Sequence, residues 1–195
     1  MIFSSNRQIL FKQIDRNMER RHLDNAIIHS HRMLEQIKTF TKNRKIKILS
    51  VGSCNALEIY AFKSYGYDNI IGIDLVRPEK DRRLIKSTGM HNLKFKDDSF
   101  DLIFCSGTFH CSYNPQKLAE EFIRVVKNDG MICITVPIEF EPTEVYRVDA
   151  KSLDGLYNLF LPYVKEKLWS ETVPPDTECN PHRHKIIRCI FTIKK

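Results

Sequence analysis

Apolar residues along this chain follow two periods, and the period switches repeatedly. Over residues 5–40 they recur at helix spacing: Ile9, Leu10, Ile14 and Met18, then Ile27, Ile28, Met33, Leu34 and Ile37. "KIKILSVG" alternates and then runs apolar, as a strand entering a core does, and "ALEIYAFKSYG" follows as a short helix closed by Gly66. "NIIGIDLV" is a second apolar strand, ending near Asp74. "RPEKDRR" is a polar loop or the remnant of a helix, with a short strand near Leu84–Ser87 after it. "DDSFDLIFCSG" reads as a turn and a buried strand. In "NPQKLAEEFIRVV" Asn114 is the expected N-cap of a helix and Pro115 lies in its first turn. "KNDG" turns into the strand "MICITVP", "SLDGLYNLFLPYV" is a helix and "IIRCIFTIK" a closing strand. Strands that alternate with helices predict an α/β fold with a mostly parallel sheet covered on both faces. The 195 residues suffice for one domain, read as a helical N-terminal arm (1–44) and an α/β body (45–195).

Composition narrows the class. Apolar content is 42% and charged content 28%, as in an ordinary globular chain. The apolar runs are too short to cross a bilayer, and the charged start lacks the apolar stretch of a secretory signal. Six scattered cysteines without a paired pattern suit reduced thiols in the cytoplasm. The net charge is +7, and the first 44 residues hold nine basic against four acidic side chains. That arm could attract nucleic acid, but its interleaved acids fit a solvated helix face better.

In an open parallel sheet, ligands bind beyond the carboxyl ends of the strands, so the residues just after each strand carry the chemistry. After the first strand come Gly52, Ser53, Cys54, Asn55 and Ala56. Gly52 suits a positive φ or a close backbone approach, and Asn55 is the residue best able to replace glycine in a left-handed conformation. The amides of Ser53 and Cys54, at a helix N-terminus, could receive a carboxylate or a phosphate. Asp74 ends the second strand, where an ionised carboxylate can accept hydrogen bonds from both hydroxyls of a ribose. A nicotinamide enzyme would need more glycines around its pyrophosphate. Cys179, His182 and His184 in "CNPHRH" lack a second ligand pair at zinc-type spacing, so no metal is assigned. Cys105 and Cys133 lie in apolar strands and are expected in the core.

The order "ILSVGSCNALE … IIGIDLV … MHNLKFKDDSFDLIFCSGTFHCSYNPQKLAEEFIRVVKNDGMICITVP" resembles class I S-adenosylmethionine-dependent methyltransferases, notably the type 11 group. The most specific piece, "HNLKFKDDSFDLIFCSGTFHC" with "VVKNDG" after the next helix, looks like the family's "NLPF.D.SFD" segment, fourth strand and "LKPGG" turn. The likeness is good over residues 45–137; the remainder fits in outline, as sixth and seventh strands with a helix between.

The resemblance implies a Rossmann-like, doubly wound sheet of about seven strands and S-adenosylmethionine as cofactor. Gly52, Ser53, Cys54 and Asn55 would line its methionine and ribose part; Asp74 would hold the ribose diol and Leu75 would lie against adenine. Met90 and His91 would border the adenine edge, and Ser106 and Gly107 would face the sulfonium. Phe109 and His110 would stand between cofactor and acceptor, with His110 the candidate general base or a packed histidine, and Tyr113 shaping the acceptor pocket or packing. The family has an acid where Ser50 stands and glycines where Cys54 and Ala56 stand, so these side chains would narrow the cofactor's passage, and a leucine at 56 would close it. The implied activity is methyl transfer to an acceptor, a small molecule favoured. Two alternatives stay open: a binding protein that has kept the fold and lost turnover, and a methyltransferase of RNA or protein.

Overall fold

The computed structural model describes residues 20–75, 81–177 and 183–195, with side chains from residue 29 onward. The first part of the predicted arm helix, part of "RPEKDRR", and Cys179 and His182 lie outside the described residues. In chain order the elements are α1 (Arg20–Phe40), β1 (Ile48–Val51), α2 (Leu57–Ser64), β2 (Ile70–Asp74), β3 (Ile85–Ser87) and β4 (Phe100–Ser106). A 3-10 turn (Phe109–Cys111), α3 (Pro115–Val125), β5 (Val126–Ile138), α4 (Leu153–Asn158), β6 (Val164–Val173) and β7 (Lys185–Ile193) complete it.

The seven strands form one sheet in the order β3-β2-β1-β4-β5-β7-β6. The first five run parallel, while β7 is antiparallel to β5 and β6 to β7. Alternate strand residues serve opposite layers. Leu49, Ile103 and Cys105 face the layer of Leu118, Phe122 and Leu156 from α3 and α4. Ile48, Leu102 and Phe104 face Met33, Leu34, Ile37, Ile59 and Phe62 from α1 and α2. This is the doubly wound architecture expected from the alternation of periods. Chain order reverses across β1 and β4, which leaves a crevice above their carboxyl ends.

Local signals explain most boundaries. Gly66 (φ +84°) closes α2, its N–H donating to Lys63 O at 2.9 Å. Asn114 Oδ1 accepts from the Lys117 N–H at 2.9 Å and Pro115 opens α3. The predicted helix over "SLDGLYNLFLPYV" is shorter than its apolar pattern, ending at Asn158. No helix separates β6 and β7 among the described residues, contrary to the outline expectation; the two strands pair directly as an antiparallel ribbon. The run that forms β6, "VKEKLWSETV", carries four charged residues because it is the solvated edge, so its period is weak.

The described part of the arm packs into the body. Arg188 on β7 is fully buried, and Glu171 on β6 accepts from its Nη1 at 2.5 Å. Arg188 Nη2 donates to Nδ1 of His29 on α1 at 2.6 Å, and Arg32 Nη2 donates to Glu171 at 2.9 Å. Arg32 also lies over Trp169, 5.8 Å from its ring centroid. The arm's bases in this region therefore hold the helix to the sheet.

Candidate functional site

The crevice is built by three strand ends. The β1 chain turns at Gly52 (φ +83°), where a Cβ would overlap the Thr108 side chain that follows β4. The Gly52 and Ser53 amides both donate to Ile73 O, at 2.9 and 3.1 Å, tying the loop to β2. Ser53 Oγ donates inward, 2.8 Å from Ser50 Oγ and 3.0 Å from Ser50 O. That side chain fills the space over Gly72, where a Cβ would overlap it. The Cys54 N–H donates to Asp74 Oδ2 at 3.0 Å, so the acid ending β2 is oriented by the first loop. Asn55 Oδ1 accepts from the Leu57 N–H at 3.3 Å.

Two expectations for this loop are corrected. The left-handed residue is Ala56 (φ +57°), not Asn55; the Asn55 side chain instead accepts from the amide two residues on, that of Leu57. Ala56 is fully buried in the cluster with Ile48, Ile59 and Phe62, so a larger side chain there meets the core and not a ligand's passage. The Ser53 amide and hydroxyl are likewise engaged within the chain, which leaves them no donor turned toward an anion.

Around this loop the rim is open. Leu75 is 61% exposed beside Gly89, and Tyr113 is 68% exposed. Tyr113 stacks on His91 with centroids 3.8 Å apart, and His91 Nε2 lies 2.7 Å from the buried Ser112 Oγ. Burial, with the Arg147 charge adding, holds the His91 imidazole below its ordinary value, so the ring is neutral at neutral pH. Met90 packs against the α3/α4 layer. Arg124 and Glu121 of α3 pin the chain behind it, through Leu93 O, Phe95 O and the Leu93 N–H. Ser106 ends β4, and Gly107 (φ +65°) has no atom within 4 Å of the place a Cβ would take.

Phe109 does not border this space, contrary to expectation. It is fully buried, against Phe122 and Phe160. His110 is 3% exposed, edge-on to Tyr146 at 4.3 Å and near Phe140 at 6.2 Å. The His110 carbonyl accepts the Arg147 and Val148 N–H groups, so the segment after β5 folds over it. Asp149 closes that segment by accepting from the Glu139, Phe140 and Lys151 amides. His184 stands 5.7 Å from Phe140 in the same aromatic group.

Residues 49–134 match the type 11 model described as "Methyltransferase domain". They span β1 to β5 and contain the whole crevice. Over these residues the chain carries a methyltransferase domain of the type 11 kind. Among curated proteins it is similar to the sarcosine/dimethylglycine N-methyltransferase of Aphanothece halophytica, 26% identical over 120 residues. That match covers 55% of this chain and 43% of the relative, so the chain spans under half the length of the relative it matches. A SAM-dependent methyltransferase from Aquifex aeolicus has the same fold, with a TM-score of 0.65 at 16% identity over 93% of this chain and 97% of that one. So does the 1,6-didemethyltoxoflavin-N1-methyltransferase of Burkholderia thailandensis, solved with 1,6-didemethyltoxoflavin and S-adenosylhomocysteine. Its TM-score is 0.59 at 15% identity, over 88% of this chain and 77% of that one.

One residue beside this crevice escaped the sequence reading. Glu58, in the first turn of α2, is 7% exposed, and its Oε2 has no hydrogen-bond partner. Burial pushes its carboxyl up to about 7; its own backbone N–H opposes the rise and the Asp74 charge adds to it. The signal was available: Glu58 shares a helix face with the core residue Phe62, four positions on. Thr108, which packs on Gly52, had no comparable signal.

Proposed function

We propose that the chain transfers a methyl group from S-adenosylmethionine to a small-molecule acceptor. The observation that carries this reading is the Asp74 carboxylate, fixed by the Cys54 amide at the carboxyl end of β2 inside the matched domain. The residues present fit such a cofactor. Asp74 can accept from a ribose diol, exposed Leu75 offers an apolar face for adenine, and the space over Gly107 leaves room beside β4. When bound, the cofactor supplies the methyl group and its thioether leaving group. The chain's part is to orient the two partners and keep water from the reacting centre.

His110, beside Tyr146 and Phe140 beyond the end of β4, is the candidate for receiving a proton from the acceptor. An acceptor that arrives as a neutral amine needs no base. The name of the curated relative supports small amines as the first acceptors to try, and aromatic rings beside His110 suit a cationic amine. No helix among the described residues is long and apolar enough to cross a membrane. We place the protein's work in the cytoplasm on its cysteine usage.

A second reading has its own support: the loop amides of Gly52, Ser53 and Cys54 are all engaged within the chain, as suits a fold kept for binding alone. One experiment separates the two. The protein is incubated with S-adenosylmethionine and a panel of small amines, and S-adenosylhomocysteine is measured. Acceptor-dependent formation supports the transferase; cofactor binding without turnover on any acceptor supports the second reading.

A further inference from the structure

The β1 position that holds an acid in this family is Ser50, a buried residue with its hydroxyl bonded to Ser53. Ser50 has the parity of Ile48, so it faces the layer of α2, the helix that carries Glu58. Glu58 interacts electrostatically with Asp74 at the end of β2 and with Cys105 near the end of β4. Its carboxyl group therefore lies near the β1 carboxyl end, between the ends of β2 and β4. A buried carboxyl group with an oxygen lacking any partner is costly, and native chains retain such a group where something else completes it. Among the described residues no basic side chain pairs with it.

We propose that Glu58 supplies from α2 the carboxylate that Ser50 does not supply from β1, and that it pairs with the ammonium group at the amino-acid end of the bound cofactor. This inference rests on the cofactor reading above. The pairing requires the ionised acid. A protonated Glu58 that meets the ammonium gives up its proton to solvent, and the ammonium keeps its own. With a carboxyl pushed up to about 7, roughly half the sites start protonated at neutral pH, so binding releases about half a proton per site there.

The test is calorimetric titration of the wild-type protein and Glu58→Gln with S-adenosylhomocysteine, in two buffers of different ionisation heat at neutral pH. Adenosine, which lacks the amino-acid end, is the control ligand. The expected result is about a tenfold loss of S-adenosylhomocysteine affinity in Glu58→Gln, proton release in the wild type alone, and equal adenosine affinity in both. The glutamine is isosteric and uncharged, so the fold should survive, which a melting curve checks. Equal S-adenosylhomocysteine affinity with equal proton release overturns the assignment and leaves the cofactor reading standing. Equal weakening toward both ligands also overturns it, because the variant then acts through the loop's shape. A wild-type protein that binds neither ligand overturns both.

Discussion

Glu58 should make the empty protein less stable as pH rises, and the size follows from its surroundings. In the unfolded chain its carboxyl ionises near the ordinary 4.5; in the folded chain burial moves this to about 7. Between those values the folded state binds more protons than the unfolded one, so stability falls through the window and levels off above it. The difference, at about 1.4 kcal/mol per tenfold change, amounts to about 3 kcal/mol when the acid is fully ionised. Glu58→Gln removes the titration and keeps the shape. Urea unfolding of both proteins without cofactor, from about pH 4 to about pH 8, should show the variant gaining about 3 kcal/mol relative to the wild type across that range. Any constant cost of burying the amide cancels, because only the change with pH counts. A difference that stays flat with pH would show that Glu58 ionises in water, and would remove the buried-acid argument.

Three other outcomes follow from the packing. Asp74→Ala should weaken S-adenosylhomocysteine binding by about 2 kcal/mol, read by titration, because it removes a charged acceptor and also frees the Cys54 amide. Ala56→Leu should lower stability by about 1–3 kcal/mol through overpacking, with cofactor affinity preserved in the folded fraction, as melting and titration together would show. Glu171→Ala should cost about 3 kcal/mol in urea unfolding, since it strips the acid partner from a fully buried arginine that ties α1 to β7.

The parallel half of the sheet was legible because its strands are buried on both faces and its turns carry strong markers. Asp74, Gly66, Asn114 and Pro115 each stand where sequence logic places them. The antiparallel edge was not: β6 faces water, its charges break the apolar period, and only pairing with β7 makes it a strand. In the crevice, sequence spacing named the loop but could not say which residue takes the left-handed turn. Asn55 has the better intrinsic preference, yet Ala56 occupies the position because its methyl fills the core beside Ile59. The family resemblance also implied Phe109 beside the ligand, whereas the 3-10 turn after β4 rotates its ring into the core and leaves His110 under Tyr146. The burial of Arg188 was invisible, since it depends on which helix covers which strand.

The central claim is that the crevice above β1, β2 and β4 holds S-adenosylmethionine through Asp74. Titration of the wild-type protein and Asp74→Ala with S-adenosylhomocysteine tests it most directly. The account predicts saturable binding at one site per chain, weakened about thirtyfold in a variant that keeps the wild-type fold. Binding that is absent in the wild type, or unchanged in the variant, contradicts it.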